Sequence, residues 1–321
     1  MPEKKYLNVK LSLAPMAGIT DLPFRLICKK LGADLVYSEM ISATGLFYGK
    51  NKKSLTLAQS IPKESPLAIQ LFGNNPEHFA QATQIISDLN NPDKNFRKVE
   101  ELNINFGCPV RKIYKQESGC FLMKKPLLAK KIVQAVLNNT NLPVSIKIRM
   151  GISTVEALEF LTKIKNLNWT KVIIHGRTYE KGFAGEIDFA KIKEIKETFP
   201  EKTVVANGGI FSPEDAKEVL EKTNVNELAI ARGCLGNPWL FQQLKDFLET
   251  GQYSKPTLEE IKTIALEHAQ LFEKYNATKN LQPFRKHLGW YFKDFENAKQ
   301  LRKKLFSIET LPELKKVLKN Q

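Results

Sequence analysis

Short apolar runs alternating with amphipathic stretches are what most constrain this chain. Eight such runs follow one another: Leu11–Gly18, Leu35–Met40, Leu67–Gly73, Leu102–Pro109, Pro143–Gly151, Lys171–Thr178, Thr203–Ile210 and Glu227–Gly233. They are near-continuous in Val, Ile, Leu and Ala, as parallel strands covered on both faces should be. Helix patterns with start signals lie between them. Thr20-Asp21 precedes Leu22–Leu31, Asn75-Pro76 precedes Glu77–Leu89, and Ser212-Pro213 precedes Glu214–Leu220. Eight strand–helix units in about 240 residues predict an α/β fold closed as a (β/α)8 TIM barrel. A doubly wound sheet competes, but the first run ends in Pro15-Met16-Ala17-Gly18 rather than GxGxxG, and eight regular units suit closure.

A barrel collects function at the carboxyl ends of its strands. In order, those ends carry Pro15-Met16, Glu39-Met40, Gln70, Asn105 with Cys108, Lys147 with Arg149, His175 with Arg177, Asn207-Gly208-Gly209, and Arg232-Gly233. Polar residues closing apolar strands are costly if the ends are merely packed, so eight consecutive cases predict a site.

The residue types suggest its chemistry. Asn207-Gly208-Gly209 and Arg232-Gly233 end the seventh and eighth strands, where barrels build phosphate sites from small residues and backbone amides; an ordinary tight turn is the alternative. Lys147 and Arg149 share one strand face, placing charge beside an electron-rich ring or at the barrel mouth. His175 reads as a site residue or as a satisfied structural histidine. Together these suit a flavin mononucleotide, which supplies hydride chemistry that side chains cannot. Of four cysteines only Cys108 precedes proline, in the turn Asn105-Phe106-Gly107-Cys108-Pro109. Its bland reading is an inert apolar filler. Its functional reading is a proton donor to a carbon that has just accepted hydride, which requires a thiol whose pKa is not strongly lowered.

Composition adds a partner. Lys and Arg number 49 against 34 acidic residues, a net charge of +15, which favours a polyanion such as nucleic acid; a solvated lysine-rich surface is the alternative. Residues 251–321 carry 14 basic and 8 acidic side chains and read as helical: Leu258–Tyr275, Leu281–Phe292, Ala298–Phe306 and Leu311–Leu318. Arg285-Lys286-His287-Leu288-Gly289-Trp290-Tyr291 interleaves bases with aromatics, as an RNA-contacting helix or as the core of a small bundle. Glu249-Thr250-Gly251-Gln252 reads as a linker, and Asn90–Lys98 as a polar surface loop. No CxxC spacing suggests zinc, no apolar run approaches the roughly 18 residues of a membrane span, and the start lacks a signal-peptide h-region. A cytoplasmic monomer with no metal and no membrane contact is expected.

The ordered set of motifs closely resembles the tRNA-dihydrouridine synthases, especially the bacterial B-type group, over nearly the whole chain. Leu13–Asp21, Val36–Met40, Asn105–Pro109 continued to Gly119-Cys120, His175–Thr178, Ala206–Ile210, Gly236–Trp239 and Arg285-Lys286-His287 carry the likeness. It implies an FMN-binding catalytic barrel over residues 1–249 and a helical tRNA-binding domain over 252–321. It also implies NADPH-driven reduction of the C5=C6 bond of particular uridines, with hydride passing from flavin N5 to C6 and Cys108 protonating C5. By the same likeness Pro15, Met16, Ala17, Gln70, Lys147, His175, Asn207, Gly208, Gly209, Ala231 and Arg232 hold the cofactor, and Asn105, Arg149 and Glu39 face the substrate. The chain departs from the family pattern at Gly209, where many relatives carry an acid, and at Ala231, where they usually carry Gly. Cys120 reads as packing. A small-molecule FMN oxidoreductase of the dihydropyrimidine or dihydroorotate dehydrogenase type is the alternative, though that chemistry does not call for a basic helical tail.

Overall fold

The computed structural model describes Tyr6 and residues 8–49, 52–89, 99–276, 280–293 and 298–319. The polar stretch Asn90–Lys98 lies outside the described residues. Among the described residues there are ten strands: β1 Lys10–Leu13, β2 Leu35–Ser42, β3 Leu67–Phe72, β4 Val99–Phe106, β5 Val144–Arg149, β6 Gly151–Ile152, β7 Val155–Glu156, β8 Lys171–His175, β9 Thr203–Asn207 and β10 Glu227–Ile230. Eight of them close in the order β1-β10-β9-β8-β5-β4-β3-β2, every neighbouring pair parallel. The fold is the expected TIM barrel. The antiparallel hairpin β6–β7 follows β5 directly and is invisible in the sequence pattern, because two residues per strand make no periodicity.

The apolar runs form strands because both faces are covered. Outside, Leu11, Ile69, Leu102, Ile146, Val172 and Ile174 pack in one large core with helix residues such as Phe24, Phe79, Ile132 and Phe160. Inside, Ala14, Tyr37, Ala68, Ile173, Val205 and Ala229 form a small separate cluster. Local chemistry starts the helices where expected. Asp21 Oδ1 accepts from Phe24 N ahead of Leu22–Lys30, and Ser212 with Asp215 forms a capping box ahead of Pro213–Thr223.

Register brings the site together. Asn105 pairs Lys147, Arg149 pairs His175, His175 pairs Asn207, and Asn207 pairs Ala229, so side chains distant in sequence share one rim.

The helix Leu240–Thr250 ends at Gly251, whose φ of +77° is the left-handed C-cap that glycine favours. Beyond it lie helices Leu258–Tyr275, Arg285–Tyr291, Ala298–Leu305 and Leu311–Lys319. The expected single helix over 281–292 is divided: Pro283, which has no N–H to donate, sits in a 3-10 turn Gln282–Phe284 before Arg285. Within 285–291, His287, Leu288, Gly289 and Tyr291 face inward and Lys286 is exposed. His287 and Tyr291 are buried, Arg285 Nε donates to Ile308 O at 2.6 Å, and Lys286 Nζ donates to Gly18 O across the junction with the barrel. Ile27 of the barrel belongs to the tail's apolar core, and Phe24 packs on His268 and His287 with centroids 5.5 and 5.3 Å away. Among the described residues no helix is long and apolar enough to cross a membrane, and no His, Cys, Asp and Glu cluster could hold a metal ion.

Candidate active site

A cavity of about 390 Å³ opens at the carboxyl end of the barrel, within the roughly 300–1,000 Å³ range of small-molecule sites. Every residue assigned to the site from sequence lines it except Glu39 and the strand-end Arg177. Glu39 turns away and accepts the Gly18 N–H, which shapes the loop that carries Pro15, Met16 and Ala17.

Cys108 occupies one wall. Asn105 Oδ1 accepts from Gly107 N at 3.0 Å and Cys108 N at 2.9 Å, and Cys120 N donates to Cys108 O at 3.2 Å, so the turn is held from both sides. Glycine is required at 119: its φ is +63°, and a Cβ there would lie 3.0 Å from Cys108 O. Burial pushes the Cys108 thiol up, with Arg149 and Lys147 among weaker opposing influences. It is therefore a neutral thiol at pH 7, able to donate a proton. Cys120 is buried, its thiol pushed up by burial to about 12.

The adjoining wall is cationic. Burial first, then Arg149, pulls the Lys147 ammonium down to about 7; Nζ donates to Asn207 Oδ1 at 2.9 Å. Arg149 Nε donates to Gly107 O at 3.1 Å, and its Nη1 to Thr178 O and Gly182 O at 3.0 and 2.7 Å. Arg149 thereby ties the Cys108 turn to the loop after β8. Burial and the neighbouring Lys147, Arg149, Arg177 and Arg232 drive the His175 pKa down to about 2, so the imidazole is neutral. No carboxylate among the described residues forms a salt bridge with Lys147, Arg149, Arg177 or Arg232. His175 Nδ1 and Arg177 Nη1 are buried with no hydrogen-bond partner. Like charges held together without counterions suit an anionic ligand.

Beside this wall the backbone comes close. Gly208 has φ +107°, and a Cβ there would approach Ile187 Cδ1 to 2.9 Å and His175 Nε2 to 3.3 Å. Asn207 is nearly fully buried, with Nδ2 donating to Ala229 O at 2.7 Å, so it positions Lys147 from beneath. Ala14 and Ala229 on the cavity floor leave depth for a ring system.

Phe183 and Phe211 were not singled out from sequence. Both are exposed at the rim, and the Arg232 guanidinium lies 4.6 Å and 5.7 Å from their ring centroids. Arg149 lies 5.4 Å from the Phe183 ring. The aromatic between glycines in Gly182-Phe183-Ala184-Gly185 was the available signal.

These features fit a flavin mononucleotide: a carboxylate-free cationic edge, orphaned donors, glycine-walled backbone and an apolar floor. Comparisons with known proteins identify the family. A family model described as dihydrouridine synthase (Dus) matches residues 12–321. The chain is 35% identical over 311 residues to tRNA-dihydrouridine synthase B of Shewanella oneidensis, covering 96% of this chain and 93% of the relative. It is 36% identical over 295 residues to tRNA-dihydrouridine synthase B of Pasteurella multocida, covering 90% and 86%. Similarity to the probable tRNA-dihydrouridine synthase 1 of Synechocystis sp. is 34% over 319 residues, covering 97% and 86%. Among solved structures, 6-hydroxypseudooxynicotine amine oxidase from Pseudomonas geniculata N1 superimposes with a TM-score of 0.57 at 11% identity over 84% of this chain. This chain spans about half of that protein, 53%, and the likeness is one of fold alone.

Proposed function

This chain belongs to the dihydrouridine synthase family of flavin-dependent oxidoreductases acting on tRNA, and on that premise we propose that it is an FMN enzyme, reduced by NADPH, in which Cys108 is the acid that completes uridine reduction. The observation that carries the reading is the pairing of a neutral, backbone-clamped thiol with an adjoining carboxylate-free cationic wall in one cavity.

In this reading Pro15, Met16 and Ala17 back the flavin ring, Gln70, Lys147 and His175 meet its edge, and Gly208, Gly209, Ala231 and Arg232 hold its phosphate. Bound there, FMN supplies the hydride that reaches C6 of the uracil. Cys108 gives its Sγ proton to C5, so the C5=C6 bond gains one hydride and one proton. Desolvation keeps that proton on sulfur until the carbon can take it. Arg149 holds the thiol's turn by donating its Nε–H to Gly107 O. Arg149 also meets the substrate on the cavity side, with Asn105 shaping the turn beneath. The target uridine leaves its stack to reach the thiol, and the basic surface meets the tRNA backbone, with the helical tail orienting it.

The test uses purified protein. It should be yellow and bleach with NADPH, and Cys108→Ala should keep both properties while losing dihydrouridine formation in unmodified tRNA. Normal turnover by that variant overturns the acid assignment. Reduction of free uracil or orotate, with tRNA inert, would favour the small-molecule oxidoreductase.

A further inference from the structure

A buried chain of side chains runs through the barrel interior from its amino-terminal end to the Cys108 turn. At its base Lys171 Nζ lies 3.3 Å from Glu101 Oε2 and 3.1 Å from Glu227 Oε2. Tyr37 Oη donates to Glu101 Oε1 at 2.7 Å, and Ser145 Oγ donates to the same oxygen. Asn103 Nδ2 then donates to Ser145 Oγ at 2.6 Å, Gln70 Nε2 to Asn103 Oδ1 at 2.7 Å, and Asn105 Nδ2 to Gln70 Oε1 at 3.0 Å. At the top, Asn105 Oδ1 receives the Gly107 and Cys108 backbone N–H groups. Tyr37, Gln70, Glu101, Asn103, Asn105 and Ser145 are all buried.

The chain has a direction. The Glu101 carboxylate, paired with Lys171, only accepts; the backbone N–H groups at the top only donate. A side-chain amide donates from one end and accepts at the other. Only one orientation of Asn103, Gln70 and Asn105 therefore satisfies both ends, and reversing any amide sets donor against donor in a dry interior, where each unmade bond costs most.

We propose that Glu101 is a remote positioning residue for the reaction: through Ser145, Asn103 and Gln70 it fixes the amide of Asn105, and with it the placement of the Cys108 thiol. The inference rests on the reading of Cys108 as the acid. It adds a determinant at the far end of the barrel, beside a second cavity of about 770 Å³ that Glu101, Lys171 and Glu227 line.

Glu101→Gln tests it, because shape is kept while polarity is not. Lys171 Nζ demands an oxygen where Oε2 now lies, so the new amide turns its NH₂ toward Tyr37 and Ser145 and opposes the chain. With flavin-loaded protein, kcat for uridine reduction at saturating tRNA should fall about ten- to a hundred-fold, the cost of a misplaced reacting group. Flavin content and tRNA affinity should hold. Iodoacetamide provides a readout independent of turnover. Cys28, Cys120 and Cys234 are fully buried, so carbamidomethylation reports Cys108, and its rate should rise several-fold. Adding Lys171→Met removes the demand for the oxygen, lets the amide turn back, and should restore both readouts. A merely structural role predicts instead that the second change deepens the loss. Wild-type kcat and alkylation in Glu101→Gln, or failure of Lys171→Met to restore them, overturns the proposal. If Glu101→Gln does not fold, Ser145→Ala cuts the chain one link higher, and wild-type alkylation and kcat there overturn it equally. Should Cys108→Ala turn over normally, the acid assignment fails, while alkylation still judges the chain.

Discussion

The side-chain carbonyl of Asn105 accepts the backbone N–H of Cys108 at 2.9 Å. The same oxygen takes the Gly107 N–H, while Nδ2 donates to Gln70 and contacts Met40 Sδ at 3.7 Å. An asparagine that the strand pattern aims at a ligand thus acts on the turn that presents the thiol. Its contribution to chemistry is geometric.

That geometry separates two substitutions. Cys108→Ala removes the acid and should lower uridine reduction about 10²- to 10⁴-fold, the usual worth of a positioned proton donor. Asn105→Ala leaves the thiol but frees two turn amides, and should lower kcat by up to about 10²-fold through misplacement. A pH–rate profile distinguishes them. Activity in Asn105→Ala should still fall at high pH as the thiol ionises, whereas the residual rate in Cys108→Ala should lose that limb. An unchanged alkaline limb in Cys108→Ala would assign it to another group.

On the proposed reading, the lowered Lys147 pKa predicts a pH dependence of cofactor affinity. Burial, then Arg149, lowers its pKa to about 7, so the folded protein loses this charge as pH rises through 7. A flavin edge that accepts hydrogen bonds favours the protonated form, which donates. FMN affinity should therefore weaken steadily from pH 7 to 9 and gain no more than about two-fold from the lysine below 7, where it is already half protonated. Lys147→Arg, always charged, should flatten the profile. Flavin fluorescence titrations across this range check it, and a flat wild-type profile would remove Lys147 from the flavin edge.

The Gly208 backbone leaves no room for a side chain. A Cβ would come within 2.9 Å of Ile187 Cδ1 and 3.3 Å of His175 Nε2, at a φ of +107°. Gly208→Val should cost both fold stability, because a β-branched residue is strained at that φ, and flavin occupancy, because His175 is part of the cavity wall. Purification with markedly reduced yellow colour and a lowered melting temperature is the expected result. Full flavin loading would place the phosphate elsewhere.

What the sequence disclosed and what it concealed divide along a physical line. Barrel strands were legible because burial on both faces leaves apolar runs, and their polar ends were legible as exceptions to those runs. The roles of Asn105, Asn207 and Glu39 were not, since each depends on a partner brought close only by register or loop closure: Gln70, Lys147 and Gly18. Glu101 was hidden for the same reason, at the start of an apolar run where a strand-end acid looks like a solvated charge. In the tail, Arg285–Tyr291 had two readings, and burial of His287 and Tyr291 favours the core.

The junction between barrel and tail turns on Gly236. Its φ is +76°, and a Cβ there would lie 2.2 Å from Trp290 O and 2.4 Å from Trp290 C, backbone that cannot swing aside. Gly251 has nearly the same φ, +77°, with nothing within 4 Å of a Cβ, and serves as the control. Gly251→Ala should cost about 1 kcal/mol of left-handed strain. Gly236→Ala adds a backbone collision and should cost more, about 2–4 kcal/mol in all, at the upper end of single-residue effects. Because the collision pushes Arg285–Tyr291 off the barrel, its signature should be a raised KM for tRNA with NADPH-driven flavin reduction unchanged. Thermal melts and the two kinetic assays on both variants decide it, and equal behaviour of the pair would mean that the tail is not seated through Gly236.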